Sequence, residues 1–215
     1  MTFRLTPYWL WFLLAIPAFF IFYDAATSTN PRIFHILVHP SGENSARLLI
    51  FTLMITPLAM LFRGHGWTRW LVRNRRYFGV AAFGYAVLHT LFYILDKGTF
   101  DRILGELGRF YIWTGWLAFL IFLPLAATSF DYAVRRMGRT WKALQRWVYA
   151  AAILTLVHWA ALHGWKETPA ALLNFSPLIA LTVYRLWHNR TRSGERRSTR
   201  QASGEQDAAA EGANS

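Results

Sequence analysis

The sequence predicts an all-α integral membrane bundle of six transmembrane helices, and three features of the chain support this fold class. The 215 residues are 54% hydrophobic and only 16% charged. They include 17 Phe, 11 Trp and 9 Tyr, an aromatic content typical of helices anchored at the interfaces of a bilayer. The apolar residues also fall into separate runs, each long enough to cross about 30 Å of hydrocarbon as a helix.

Six apolar segments are candidate spans, since a transmembrane helix needs about 20 mostly apolar residues. They cover approximately residues 8–23, 46–62, 77–95, 110–128, 146–163 and 171–188. The first segment follows Arg4 and precedes small residues, as in a secretory signal, but it is long and aromatic and contains Pro17. We therefore interpret it as a retained helix.

The charges between the spans predict the orientation, because positively charged loops tend to stay in the cytoplasm. Two connections are strongly basic: Arg63, Arg69, Arg73, Arg75 and Arg76 follow the second span, and Arg135, Arg136, Arg139, Lys142 and Arg146 follow the fourth. The alternate connections carry balanced charges. We expect both termini on the cytoplasmic side of a bacterial inner membrane, in contact with its lipid.

Composition also excludes several classes of function. The formal net charge of +12 lies between and after the apolar runs, a pattern that indicates membrane topology, so we expect no nucleic-acid binding. The absence of cysteine excludes disulfides, thiolate-held clusters and covalent heme attachment, so any metal must use histidine or oxygen ligands. We found no internal repeat or phosphate-binding loop.

The chain is expected to divide into a transmembrane domain, residues 1–188, and a tail, residues 189–215. The tail is rich in Ser, Gly, Gln, Ala and Glu and has few large apolar residues. Such a composition cannot bury enough apolar surface to fold alone. The sequence therefore predicts a disordered, polar, cytoplasmic tail.

Two histidines lie inside predicted spans, where an ionisable side chain is costly enough to indicate a function. At about 1.5 Å per residue, His89 and His158 both lie roughly 18–20 Å from the cytoplasmic ends of their spans. Two imidazoles at one depth on separate helices can occupy the two axial positions of a heme iron. A hydrogen-bonded pair that packs helices together and a proton pathway are the alternatives.

The other histidines are weaker candidates. His163 lies near the predicted outer surface and is either an alternative ligand or an interfacial residue. His35, His39 and His65 are expected in loops. His188 ends the last span, where the helix dipole favours a positive charge.

Four strings of the sequence resemble a known family. They are HPSGENSARLLIFTLMITPL at 39–58, NRRYFGVAAFGYAVLHTLFY at 74–93, LPLAATS at 123–129 and RRMGRTWKALQRWVYAAAILTLVHW at 135–159. Together they resemble the MsrQ (formerly YedZ) family, the heme-binding membrane subunits of the protein-methionine-sulfoxide reductase system, within the ferric-reductase-like transmembrane superfamily. The resemblance covers roughly residues 5–188.

The resemblance implies an electron-transfer subunit without catalytic residues of its own. Such proteins carry b-type heme and have been associated with flavin mononucleotide (FMN). They take electrons from the quinone pool or a cytosolic flavin reductase and pass them to a periplasmic molybdenum-containing partner, which reduces methionine sulfoxide in oxidised proteins. By matching motif positions, His89 and His158 are the expected heme ligands. We expect no NAD(P)H-oxidising module in this chain.

One departure from the family pattern concerns a second heme. The family has a further histidine in a W-x-x-L-H string, where this sequence has WKALQ, ending at Gln145. Gln145 precedes His158 by about 20 Å of helix, and the same interval before His89 reaches Arg76. We expect one heme near the outer face. The inner end, framed by Gln145, Arg75 and Arg76, is expected to hold an anionic cofactor group such as FMN, a quinone head group or a weakly held second heme, or else to be a basic loop that only follows the membrane topology.

Two other functions are also compatible with the sequence. The first is electron transfer by a different member of the same superfamily, for example to ferric iron. The second is a proton-coupled transporter, which the lack of internal repeats and of acidic residues in the spans disfavours.

Overall fold

A computed structural model of the chain describes the backbone of residues 7–212 and the side chains of residues 8–191. Residues 7–212 form helices and contain no strand. The helices are α1 (Pro7–Thr27), α2 (Ile33–Leu61), α3 (Gly66–Lys97), α4 (Phe100–Glu106), α5 (Phe110–Ala127), α6 (Asp131–Met137), α7 (Arg139–Gln145), α8 (Val148–Ala160) and α9 (Thr168–Gly212).

Five helices within the described residues are long and apolar enough to cross a membrane. They are the segments Tyr8–Thr27, Ile33–Leu61, Gly66–Lys97, Phe110–Ala127 and Thr168–Thr191. These segments confirm an all-α membrane protein. The predicted fifth span corresponds to α8, whose 13 residues extend only about 20 Å.

Helix α8 is nevertheless continued on its inner side by α7. Arg146 and Trp147 join the two helices, and both residues keep right-handed helical dihedral angles. The combined segment is long enough for a sixth crossing, so the structure is compatible with six spans. The number of crossings and the cytoplasmic position of the termini stay predictions.

Several segments that the sequence assigned to loops are helical. Helix α2 begins at Ile33, so His35 and His39 lie in its first turns, and His65 immediately precedes α3. Much of the basic segment 63–76 forms the first turns of α3, and helices α6 and α7 occupy the next basic connection. Hydropathy detects only the part of a helix inside the hydrocarbon, whereas main-chain hydrogen bonding continues into the interface.

Helix α9 continues beyond the predicted domain boundary at residue 188, since its backbone stays helical to Gly212. The sequence predicts a disordered tail from residue 189 onward, and this tail includes the C-terminal part of α9. Arg4, the last three residues and the side chains beyond Thr191 lie outside the described part of the chain. The division into residues 1–188 and 189–215 stays a prediction.

Small residues line the contacts between the central helices. Ala46 of α2, Ala82 and Ala86 of α3, and Ala151 of α8 belong to one buried cluster, which α9 completes. Small side chains allow helix backbones in a membrane to approach closely. Ser45 adds a hydrogen bond across the α2–α3 contact, donating to the carbonyl of Ala82 at 2.9 Å.

The hydroxyl of Tyr85 attaches α1 to this core. It donates to the carbonyl of Leu14 at 2.7 Å and accepts from the N–H of Ala18 at 2.9 Å. These two main-chain groups would pair with each other in an uninterrupted helix. The hydroxyl is therefore inserted into α1 next to Pro17, a position where insertions of this kind bend helices.

A half-buried carboxylate, that of Glu106, joins the end of α3 to α4 and the start of α5. Glu106 accepts hydrogen bonds from Lys97 at 2.8 Å, from Arg109 at 3.0 Å and from the hydroxyl of Tyr93 at 3.1 Å. Burial alone would raise the pKa of Glu106, but the hydrogen bonds from Lys97 and Tyr93 and the nearby positive charges outweigh it and lower the pKa overall. The ionised form therefore stabilises the fold.

We predict that Glu106→Gln destabilises the protein at neutral pH by about 1–3 kcal/mol, because charge-assisted hydrogen bonds are lost. Since the folded-state pKa is below the usual value of about 4.5, the contribution is complete above that pH and is lost as the pH falls through the folded pKa. Thermal unfolding in detergent should show a lower Tm for the variant at pH 7 and a smaller difference at pH 4. A difference that grows on acidification would contradict this assignment.

Candidate functional site

A large cavity lies among α2, α3, α5 and α8, at the end of the bundle opposite the arginine-rich connections. Its volume is about 560 Å³, within the range of about 300–1,000 Å³ common for cofactor pockets. Its wall is mostly apolar and includes Trp116, Phe119, Phe122 and Trp159. Polar side chains, Lys97 among them, line part of it.

His89 of α3 and His158 of α8 both line this cavity. Their ring centres lie 6.1 Å apart, and the ring planes are nearly perpendicular, at 87°. The structure thus brings together the two histidines that the sequence singled out at one depth. Each side chain is half-buried.

One nitrogen of each imidazole is held by the main chain of the facing helix. Nδ1 of His89 lies 2.8 Å from the carbonyl oxygen of Val38, and Nδ1 of His158 lies 2.6 Å from that of Tyr111. A carbonyl can only accept, so Nδ1 is the donor and carries the proton in both rings. The Nε2 atoms are left without a proton and have no hydrogen-bond partner among the described residues.

A glycine lies beneath each ring. A Cβ atom at Gly42 would lie 2.7 Å from Nδ1 of His89, and one at Gly115 would lie 2.7 Å from Nδ1 of His158. Each glycine follows the accepting carbonyl by four residues and so lies on the same face of its helix. Only the absence of a side chain there allows the imidazole to reach the carbonyl.

The two halves of the site repeat one arrangement. In each, the N-terminal half of one helix supplies a carbonyl and a glycine, and the C-terminal half of a later helix supplies a histidine. Val38 and His89 are 51 residues apart, and Tyr111 and His158 are 47 residues apart. The sequence analysis found no repeat, because the resemblance lies in contacts and not in residue identity along the chain.

The sequence analysis missed both glycines and both carbonyls. The glycines occur in the strings HPSG and WTG, and the shared order of glycine followed by histidine was the available signal. The carbonyls have no side-chain signal at all, since any residue can supply one.

Three further histidines lie near the cavity. His35, His39 and His163 all line it. Nδ1 of His163 lies 3.6 Å from a carboxylate oxygen of Glu167, in a loop where its backbone is left-handed, with φ of 52°. His35 lies 3.3 Å from Asp96. The role of His163 as an alternative ligand stays a prediction.

The predicted inner residues are not among those that line the large cavity. Gln145 donates to the carbonyl of Leu125 at 3.1 Å, at the end of α5. Arg75 donates to the hydroxyl of Thr56 at 2.9 Å. Arg76 forms an ion pair of 2.6 Å with Asp131.

The inner cofactor site therefore stays a prediction, and each of its three residues has a structural partner. Gln145 satisfies a carbonyl near the C-terminus of a helix, where carbonyls lack main-chain partners. Arg76 connects α3 to α6. These contacts show why a glutamine and an arginine suit the two positions without any cofactor.

Comparison with known proteins places this fold in a class. Residues 41–156 match the family described as "Ferric reductase like transmembrane component". This match contains Gly42, His89 and Gly115 but ends just before His158. This match makes the chain a ferric-reductase-like membrane protein.

Relatives identify the particular family. The heme-binding subunit MsrQ of protein-methionine-sulfoxide reductase from Ralstonia nicotianae is 32% identical over 82% of this chain and 84% of its own length. The protein of the same name from Bordetella pertussis is 34% identical over 86% of this chain and 87% of its own. That from Azospira oryzae is 40% identical over 68% and 60%. The chain belongs to the MsrQ family.

The geometry of the site fits a metal ion held between the two rings. Metal–imidazole bonds of about 2 Å place two imidazoles that ligate one ion from opposite sides with their centres about 6 Å apart. The observed separation is 6.1 Å. No cluster of three or more His, Cys, Asp or Glu suited to a metal occurs within residues that the structure describes.

We predict that Gln145→Ala lowers the stability of the protein by less than about 1 kcal/mol without removing cofactor, because the carbonyl of Leu125 loses one donor but keeps the hydroxyl of Ser129 at 2.6 Å. Lys142→Ala, an exposed position on the same helix, is the control. Thermal unfolding and cofactor content of the purified proteins are the measurements. Loss of heme or flavin with unchanged stability would instead support the inner cofactor site.

Proposed function

We propose that this protein is a membrane b-type cytochrome that relays electrons across the bacterial inner membrane to a periplasmic methionine-sulfoxide reductase. The observation that carries the proposal is the pair of imidazoles, His89 and His158, which line one mostly apolar cavity with their ring centres 6.1 Å apart and their Nδ1 atoms held by main-chain carbonyls. Membership of a family named for heme binding supports the same cofactor.

The residues of the chain have distinct roles in this proposal. His89 and His158 would hold the heme iron, and a bound heme would supply a one-electron carrier. The carbonyls of Val38 and Tyr111 fix the tautomer of each ligand and raise its basicity. The aromatic part of the wall makes the surroundings of the two rings less polar, which tunes the reduction potential.

The position of the cavity sets the direction of transfer. It lies at the end of the bundle away from the basic segments of α3, α6 and α7, and positive segments tend to face the cytoplasm. A heme held there would lie near the periplasmic face, within reach of a docked partner. The partner, a molybdenum-containing reductase, carries out the chemistry on methionine sulfoxide, so this chain is the electron-transfer subunit and not the catalytic one.

The donor side of the proposal rests on the resemblance to the family. Electrons enter from a membrane quinol or from a cytosolic flavin reductase, and FMN is a candidate second cofactor. The basic inner segments that contain Arg75 and Arg76 suit an anionic partner on that side.

We predict that the purified protein shows the sharp α and β absorption bands of a low-spin, six-coordinate heme after reduction with dithionite. His89→Ala and His158→Ala should each abolish this spectrum, because one axial ligand is lost. His39→Ala and His163→Ala, which remove histidines from the same cavity, should retain it. Unchanged bands in both ligand variants would remove the assignment.

We also predict that the reduced protein is rapidly re-oxidised by a methionine-sulfoxide reductase catalytic subunit supplied with methionine sulfoxide. Stopped-flow absorbance at the α band measures the rate, and the catalytic subunit without substrate is the control. Re-oxidation by ferric chelates but not by the reductase would favour a different electron-transfer role within the superfamily.

A further inference from the structure

The contacts of the two imidazoles fix the orientation of the rings as well as the distance between them. The ring planes are 87° apart, and each ring is held by a main-chain carbonyl on one helix and by close packing on a glycine four residues further along it. We propose that Gly42 and Gly115 are positioning residues that hold the axial imidazoles in perpendicular planes. This inference rests on the proposed heme ligation by His89 and His158.

The steric argument is direct. A Cβ at position 42 would lie 2.7 Å from Nδ1 and 2.9 Å from Cε1 of His89. A Cβ at position 115 would lie 2.7 Å and 2.8 Å from the same atoms of His158. Optimal contacts between such atoms are about 3.5–4.0 Å, so an alanine at either position must displace or rotate the ring.

The imidazole ring can avoid an added Cβ atom only by moving away from it or by rotating in place. An imidazole on a helix turns only about two side-chain bonds, and its Nδ1 atom is held by the carbonyl. Movement away from the glycine lengthens this hydrogen bond and pushes Nε2 into the space for the metal. Rotation in place changes the angle between the two ring planes.

General packing of helices does not account for these contacts. A glycine that only lets two helices approach would face backbone atoms of the neighbouring helix, whereas the three nearest atoms at both Gly42 and Gly115 belong to the histidine ring. The α3 glycines differ: the nearest atom to a Cβ at Gly79 is a methyl of Thr52 at 3.7 Å, and a Cβ at Gly84 would meet nothing within 4 Å.

The angle between axial imidazole planes has a spectroscopic consequence. Parallel planes separate the two iron d orbitals that interact with the ligands, and low-spin ferric heme then gives three well-resolved g values. Perpendicular planes leave these orbitals nearly equal in energy, and the spectrum shows a single prominent low-field feature with a large g value. The observed 87° predicts the second type for this protein.

Electron paramagnetic resonance of the oxidised, full-length protein in detergent tests the inference. The wild type should give the highly anisotropic, large-g signal. Gly42→Ala and Gly115→Ala should each lose it, either to a three-g-value low-spin signal or to a high-spin signal, with heme retention weakened about 10-fold or more. Gly79→Ala and Gly84→Ala, matched glycine-to-alanine changes in a membrane helix, should match the wild type.

Two results would overturn the inference. One is a wild-type low-spin heme with three well-resolved g values, and the other is an unaltered large-g signal in both Gly42→Ala and Gly115→Ala. If these two variants do not fold, a wild-type spectrum with three well-resolved g values still overturns the inference, and retention of the large-g signal in partly folded, heme-loaded fractions of the variants does so as well. A wild type without low-spin heme, or one whose heme survives both ligand substitutions, would instead refute the proposed function itself.

Discussion

Two hydrogen bonds, from the Nδ1 atoms of His89 and His158 to main-chain carbonyls, are the constraint on which the rest of the site depends. Each requires a histidine ring to reach the backbone of a facing helix, which is possible only where that helix has a glycine, at 42 and at 115. The close approach also requires small side chains along the contacts, and Ala46, Ala82 and Ala151 are buried there. The glycines and alanines therefore let the helices approach closely enough for each histidine ring to reach its carbonyl.

The membrane explains why this requirement is met through the backbone. An imidazole inside the hydrocarbon is costly unless its polar atoms are satisfied. A carbonyl in a regular helix already accepts one N–H and has a second lone pair, so it can accept the Nδ1 proton without disrupting its helix. One nitrogen of each ring is thereby satisfied, while the other stays open to the cavity. The hydrogen bond that lowers the cost of placing the histidine in the hydrocarbon therefore also leaves its Nε2 atom available to bind a metal.

Much of the fold could be predicted from the sequence. Apolar run lengths located the long helices, because the bilayer imposes a minimum length that hydropathy reports directly. Hydropathy failed at helix ends: His39 lies in α2 and not in a loop, since helices extend past the hydrocarbon into the interface. The partners of Gln145 and Arg76 could not be predicted either, because the Leu125 carbonyl and Asp131 lie on other helices.

The sequence by itself determined what depends on depth in the bilayer: the apolar helices, the basic end of the bundle, and the equal levels of His89 and His158. Only the tertiary structure decided the separation of the two rings, the perpendicular orientation of their planes and their close packing against Gly42 and Gly115. The physical reason is that depth is a one-dimensional coordinate, which residue spacing along a helix reports. Ring orientation instead arises from contacts between residues 51 and 47 positions apart, which exist only once the helices have packed.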